Sequence, residues 1–311
     1  MEKIKKRKSS ISILVVLTMC MALFFTGCGK GDINKQIEDT VSDVKELNPT
    51  ASVGSVGGEW AVKGVKASGI SLDDEQSYFT TYFDDVRATV KSEKGVLDEK
   101  YYTEYARVTI GVCAVGENPE NIEGYNIVKP LDNYKKVTDQ GNNAVAFALI
   151  ASNVAGVKLE NEQKYIDILT DEIVKNKAYK TENIVDYGAM YLQGLSYYKE
   201  DKKVKSAIDQ CVDGLSDKQQ KDGSYGNCES TVEVIIGLTS VGVDPVNDKR
   251  FIKDGNSLYD GLMRYKTDGG FKHTVDEDSD DPNVMATEKA LLALDSIKLL
   301  EKNEKLYQEK R

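Results

Sequence analysis

The stretch Thr109-Ile110-Gly111-Val112-Cys113-Ala114-Val115-Gly116-Glu117-Asn118-Pro119 returns as Ile235-Ile236-Gly237-Leu238-Thr239-Ser240-Val241-Gly242-Val243-Asp244-Pro245. Each copy is an apolar run rich in small residues, then a glycine, then a proline three residues later. A glycine there supplies the left-handed backbone that closes a helix, and a proline soon after stops it from continuing. Equal helix-end punctuation at two places means that the chain repeats a helical unit. Downstream, Tyr125-Asn126-Ile127-Val128-Lys129-Pro130-Leu131 is expected to match Phe251-Ile252-Lys253-Asp254-Gly255-Asn256-Ser257.

Outward from these copies, the unit recurs with more divergence. Six segments open on a small or polar residue and run on in apolar residues at helical spacing, rich in Ala, Gly and Val. They begin near Gly58, Tyr105, Gly141, Asp186, Cys228 and Met285, about 36 to 57 residues apart. Periods of this length mark helical repeats. Charged amphipathic segments lie between them, at 33–47, 74–91, 127–136, 161–175, 204–219 and 257–265. A mostly apolar helix alternating with an amphipathic one predicts an inner and an outer layer. Five prolines and few alternating β-branched runs also favour helices over strands. The fold expected is all-α: twelve helices in six hairpins over residues 35–300, followed by a charged C-terminal tail at 301–311.

The N-terminus carries a different signal. Lys3, Lys5, Lys6, Arg7 and Lys8 precede an apolar run over 11–25, which ends in Phe25-Thr26-Gly27-Cys28. A basic start, a short apolar core and small residues before a cut describe a secretory signal. The run falls short of the roughly 20 apolar residues that span a bilayer. The tetrapeptide resembles the lipobox of bacterial lipoproteins, with Phe25 in place of the usual aliphatic residue. That resemblance implies cleavage of residues 1–27, acylation of Cys28 and a lipid-anchored linker at 28–34. Two acyl chains hold a protein stably on a membrane where one is marginal. The expected location is the extracytoplasmic face of the cell membrane, at the surface of a Gram-positive bacterium.

Loss of residues 1–27 leaves 36 basic against 50 acidic residues, a net charge near −14. Such a surface disfavours nucleic acid as a partner. Only Cys113, Cys211 and Cys228 remain beside Cys28, so at most one disulfide forms, and whether Cys211 pairs with Cys228 stays open.

Gln219-Gln220-Lys221-Asp222-Gly223-Ser224-Tyr225-Gly226 resembles the QxxDGSWG-type repeat of squalene–hopene cyclases and protein prenyltransferase β-subunits. Thr267-Asp268-Gly269-Gly270-Phe271 is a degenerate second copy, and Val56-Gly57-Gly58-Glu59-Trp60 is similar to the opening of a first unit. The resemblance implies an (α/α)6 toroid of the terpenoid cyclase superfamily, shared with complement thioester domains and cobalamin carriers. The motif's expected role is local: Gln and the turn glycines tie an outer helix to the next inner one. It therefore speaks for fold, and fold alone does not fix function.

Several chemistries deserve weighing. Asp278-Ser279-Asp280-Asp281 matches the DxDD acid of terpene cyclases, which makes Asp278, Asp280 and Asp281 candidate catalytic residues. Their setting, an acidic run before Pro282, reads instead as a solvated loop. With one Trp and seven Phe, an aromatic-lined cavity for carbocations is not evident either. Cys228 and His273 are too few for a prenyltransferase zinc, so no metal and no cofactor is expected. Acids at the inner-helix starts, Glu59, Glu104, Asp186, Glu229 and Glu288, suggest a glycan-processing carboxylate pair. First-turn acids are also what helix dipoles favour. A binding or adhesion module that does no catalysis requires none of this machinery. Its expected ligand residues are Glu59, Trp60, Asp186, Tyr187, Tyr225 and Glu229, its ligand a peptide, glycan or small molecule.

Overall fold

The computed structural model describes residues 32–71, 75–276 and 279–308. The signal segment 1–27 and Cys28 lie outside the described residues. Within these, the chain forms twelve α-helices: α1 Ile33–Leu47, α2 Glu59–Ser68, α3 Glu75–Ser92, α4 Thr103–Ala114, α5 Tyr134–Asp139, α6 Asn142–Ala155, α7 Glu162–Val174, α8 Ala189–Leu195, α9 Lys202–Lys218, α10 Cys228–Val241, α11 Leu258–Met263 and α12 Val284–Leu300. The strands described are β1 Lys266–Thr267 and β2 Gly270–Phe271, an antiparallel pair with Lys266 opposite Phe271.

The even-numbered helices are the apolar ones, and they pack in chain order. Each of α2, α4, α6, α8 and α10 lies against the next, and α12 returns against α2. The odd-numbered helices back them: α1 on α12 and α2, α3 on α4, α5 on α6, α7 on α6 and α8, α9 on α8 and α10, α11 on α10. Sequence pattern accounts for the two roles. Helix α1 buries a single stripe, Ile37, Thr40, Val41 and Val44. By contrast α6 buries ten of its fourteen residues, as a helix apolar on all sides must. Small residues set the spacing: a Cβ on Gly237 would lie 2.7 Å from the Ala189 carbonyl of α8, so only glycine permits that approach.

The repeat is visible in backbone geometry. Gly116 and Gly242 take φ of 87° and 88°. Glu117 N–H donates to Val112 O at 3.0 Å and Val243 N–H to Leu238 O at 2.9 Å, the same left-handed closure at matched positions. Further on, the register differs from the sequence expectation. Isolated bridges join Ile122 to Tyr125 and Lys253 to Asn256, so Tyr125 corresponds to Asn256 and not to Phe251. The second copy holds five extra residues before this turn, around the 3₁₀ turn Lys249–Phe251.

One other expectation needs correction. The segment at 127–136 is not one helix: Pro130 sits in a 3₁₀ turn at Lys129–Asp132, and Asn133 then breaks the backbone to cap α5. In the charged segment after α12, Leu306 and Tyr307 are buried in the body of the protein.

The QxxDGSYG segment ties neighbouring units together. Gln219 Nε2 donates to Gly223 O at 3.0 Å and to Phe251 O at 3.1 Å, joining the end of α9 to the following unit. Tyr225 OH donates back to Leu215 O at 2.6 Å, which seats its ring under α9.

Candidate functional site

Three groups of polar residues gather around the apolar helices, and the acids expected at the helix starts fall among them.

The first group holds the glycine-rich loop before α2. The Glu59 side chain is 0% exposed. Its Oε2 accepts from Gly54 N–H at 3.2 Å, its Oε1 accepts from Tyr82 OH at 3.1 Å, and Arg107 pairs with it. Arg107 reaches Glu104 as well. Burial raises the Glu59 carboxyl above its ordinary range, and the Arg107 charge opposes that. Glu288 Oε1 accepts from Gly57 N–H at 2.9 Å, while its Oε2 is buried with no hydrogen-bond partner. Burial, the leading cause, pushes the Glu288 carboxyl up to about 7. Two helix-start acids therefore clamp one loop from α2 and α12.

The second group crosses between the apolar helices. Lys289 on α12 places its ammonium 4.0 Å from the Trp60 ring centre, and the Phe147 ring lies 5.9 Å from that of Trp60. Lys289 Nζ also donates to Glu233 Oε1 at 2.9 Å, and Gln193 Nε2 donates to Glu233 Oε2 at 2.9 Å. Five of the six apolar helices contribute to this layer. Sequence reading singled out only Trp60 of its members. Lys289, Glu233, Gln193 and Phe147 sit about one turn or more into their helices, and polar residues inside apolar helical runs were the signal that could have found the first three.

The third group is at the surface. Asp186 Oδ1 accepts from Ser230 Oγ at 2.7 Å, and Glu229 Oε2 lies 2.6 Å from His273 Nδ1. Tyr187, next in sequence to Asp186, is 43% exposed. Of the expected ligand residues, Asp186 and Tyr187 are exposed and Glu229 is partly so, and Asp186 bonds to Ser230, the residue after Glu229. The structure buries Glu59 in its ion pair, Trp60 in the layer above and Tyr225 under α9. Those three are committed to packing and hydrogen bonding inside the protein.

The described cyclase-like acids, Asp280 and Asp281, are both exposed. Asp278 lies outside the described residues. The Asp280 side chain is 86% exposed and accepts from Lys272 Nζ at 2.7 Å, a contact that lowers its carboxyl below the ordinary range. An acid that must protonate an alkene needs the opposite shift and an apolar enclosure. Asp281 Oδ2 accepts from Ser279 Oγ at 2.6 Å in the same exposed loop. Cys228 is buried against Ala286 O, and His273 faces Glu229 instead of the thiol. Among the described residues, no group of three or more His, Cys, Asp or Glu could hold a metal ion, and Cys113, Cys211 and Cys228 form no disulfide with one another. No helix among those residues is long and apolar enough to cross a membrane. A separate cleft of about 690 Å³, with Tyr102 and Tyr105 in its lining, contains none of the expected site residues.

Comparison with family models and with curated proteins finds no match to this chain.

Proposed function

We propose that this protein is an extracytoplasmic lipoprotein, held on the cell membrane by an acylated Cys28, whose helical domain is an (α/α)6 toroid that binds a ligand and does not transform one. Support for the toroid comes from the order of neighbours, in which the last apolar helix returns to the first. One observation carries the preference for binding: each helix-start acid is engaged by a partner inside the protein, Glu104 by Arg107 and Glu288 by Gly57 N–H among them. Glu59 is neutralised by Arg107, Asp186 is held by Ser230, and Glu229 faces His273. Acid–base catalysis by two carboxylates requires them to face a shared cleft at a set separation. The accessible residues Asp186, Tyr187 and Glu229 are the ligand surface in this reading. A half-exposed tyrosine next to a carboxylate suits a peptide or a glycan, by stacking and hydrogen bonding.

Two measurements test the halves of the proposal. Cys28→Ser should abolish labelling by a fatty-acid analogue and release the protein from membranes; persistent labelling would remove Cys28 as the anchor. Glycan and peptide arrays probed with the domain should return a ligand whose binding Tyr187→Ala weakens at least tenfold. A ligand bound equally well by Tyr187→Ala would place the surface elsewhere.

A further inference from the structure

Asp32 Oδ1 accepts from Asn34 N–H at 3.0 Å and so caps the start of α1. Cys28 stands four residues earlier in the chain. Fully extended, four residues reach about 14 Å. Helix α1 has 15 residues and is therefore about 22 Å long. A tether shorter than the helix it leads to limits how the domain stands on whatever holds Cys28.

The contacts of α1 decide which end of the domain meets the tether. Asn48 closes the helix, and its Oδ1 lies 3.1 Å from where a Cβ on Gly57 would stand. Gly57 N–H in turn donates to Glu288, near the start of α12. Helix α1 therefore finishes level with the start of α12. From there Val44, Val41 and Ile37 keep it buried along α12 and α2, so Asp32 lies one helix length away, where those two helices finish. The start of α10 belongs to the other end, beside that of α12: Cys228 N–H donates to His273 O at 2.9 Å, and Cys228 Sγ lies 3.8 Å from Ala286 O. Glu229 follows Cys228, and Asp186 bonds Ser230, so the proposed ligand residues stand at the end remote from Asp32.

With the helix-start end against a membrane, Asp32 would stand about 22 Å above it, beyond the reach of the tether. Lying on the side of α1 is within reach, but that helix carries Glu38, Asp39, Asp43 and Glu46 against Lys35 and Lys45, and an anionic bilayer repels a net acidic face. On the reading of Cys28 as the acylated anchor, we propose that the end of the domain where α1 begins and α2 and α12 finish is its bilayer-facing surface. Asp186, Tyr187 and Glu229 are then turned outward, about one helix length further from the lipid, where a ligand outside the cell meets them.

A nitroxide on an introduced cysteine, relaxed by a lipid whose headgroup is a gadolinium chelate, measures distance from the bilayer surface. The full acylated chain, with the partly exposed Cys113 removed as Cys113→Ala, is placed in vesicles of phosphatidylcholine and phosphatidylglycerol that carry this lipid. Cys211 and Cys228 are buried and take no label. Lys302→Cys, just past α12, should show at least threefold the gadolinium-induced relaxation of Asp276→Cys, in the loop after His273. Equal relaxation, or more at Asp276→Cys, in protein that floats with the vesicles would overturn the orientation and leave the anchor standing. Protein that does not float would refute the anchor, and the orientation with it. Should a labelled variant fail to fold, the unmodified chain gives the same comparison. Vesicles should slow acetylation of Lys302 at least threefold and leave that of exposed Lys180, before α8, unchanged. Slowing of both alike would overturn the orientation.

Discussion

Lys289 holds its ammonium 4.0 Å from the centre of the Trp60 ring and 2.9 Å from Glu233 Oε1, linking α12 to α2 and α10 through one nearly buried cation. Each member of this trio needs the others. The ring gives the cation a favourable face, and the cation compensates a carboxylate that has left water. Lys289→Met keeps the stem but strips Glu233 of its counter-charge. It should destabilise the domain by about 3 kcal/mol, the lower end of what breaking a buried pair costs. Adding Glu233→Gln should recover most of the loss, since the pair is then removed together. Urea unfolding followed by circular dichroism measures both; a loss under about 0.5 kcal/mol for Lys289→Met would mean that the pair is well solvated.

The repeat makes a matched pair of predictions. Gly116 and Gly242 hold φ of 87° and 88°, and no atom lies within 4 Å of where a Cβ would stand. Substitution there costs backbone strain alone. Gly116→Val and Gly242→Val should each destabilise by about 1 kcal/mol or more. Gly237→Ala tests a different cause, because its helical backbone accepts alanine but the Ala189 carbonyl stands in the way. Its cost should fall at about 1–3 kcal/mol, the range for overpacking. Thermal melts of the three variants separate the effects; a neutral Gly237→Ala would show that α8 and α10 can move apart.

These glycines also mark how far sequence reading reached. All six apolar helices were legible, because residues 145–150 or 234–238 are apolar whichever face is counted, and such a helix has to be surrounded. Helix ends at Gly116 and Gly242 were legible from local backbone chemistry. The alignment downstream was not, since it matched Tyr125 to Phe251 by distance along the chain and overlooked the Glu123-Gly124 and Asp254-Gly255 turns that fix the register. At the site, the acids at helix starts were found but their partners were not. Whether Glu59 faces a cleft or Arg107 depends on how α2 is rotated against α4, and one helix's sequence does not state that. Tyr307 was missed for a related reason: two buried residues among the eight described from 301 to 308 leave no pattern in a mostly charged composition.

Glu288 gives a pH dependence whose sign is fixed. Its folded-state carboxyl is raised to about 7 from an ordinary value of 4.5, chiefly by burial. The folded chain therefore holds this proton more tightly than the unfolded chain does. Stability from the group is fully present below about pH 4.5 and is lost as pH rises through about 7. The loss amounts to roughly 3 kcal/mol at most, at 1.36 kcal/mol per pKa unit. Glu288→Gln removes the titration and keeps an oxygen for Gly57 N–H. Its melting temperature should exceed that of the unmodified protein at pH 8 and approach it at pH 4.5. A constant difference across that window would show that Glu288 ionises at its ordinary value.

The last prediction sets the loop acids against cyclase chemistry. Asp280 is exposed, bound to Lys272 at 2.7 Å, and its carboxyl is lowered. Thr267 Oγ1 bonds the Asp280 backbone carbonyl at 2.5 Å, a contact that a change of side chain leaves intact. Asp280→Asn should therefore change stability by no more than about 0.5 kcal/mol, as surface substitutions do. A protonating acid would behave otherwise, because its raised pKa depends on an apolar enclosure that neutralisation alters. The chemical arm uses the full chain incubated with squalene or a prenyl diphosphate, followed by a search for cyclised product. Product that Asp280→Asn eliminates would make this loop catalytic and overturn the binding reading. Absence of product together with an unaltered melt for Asp280→Asn is the expected result, and it would leave Asp280 the role its surroundings give it: a solvated acid that holds Lys272 beside the β1–β2 turn.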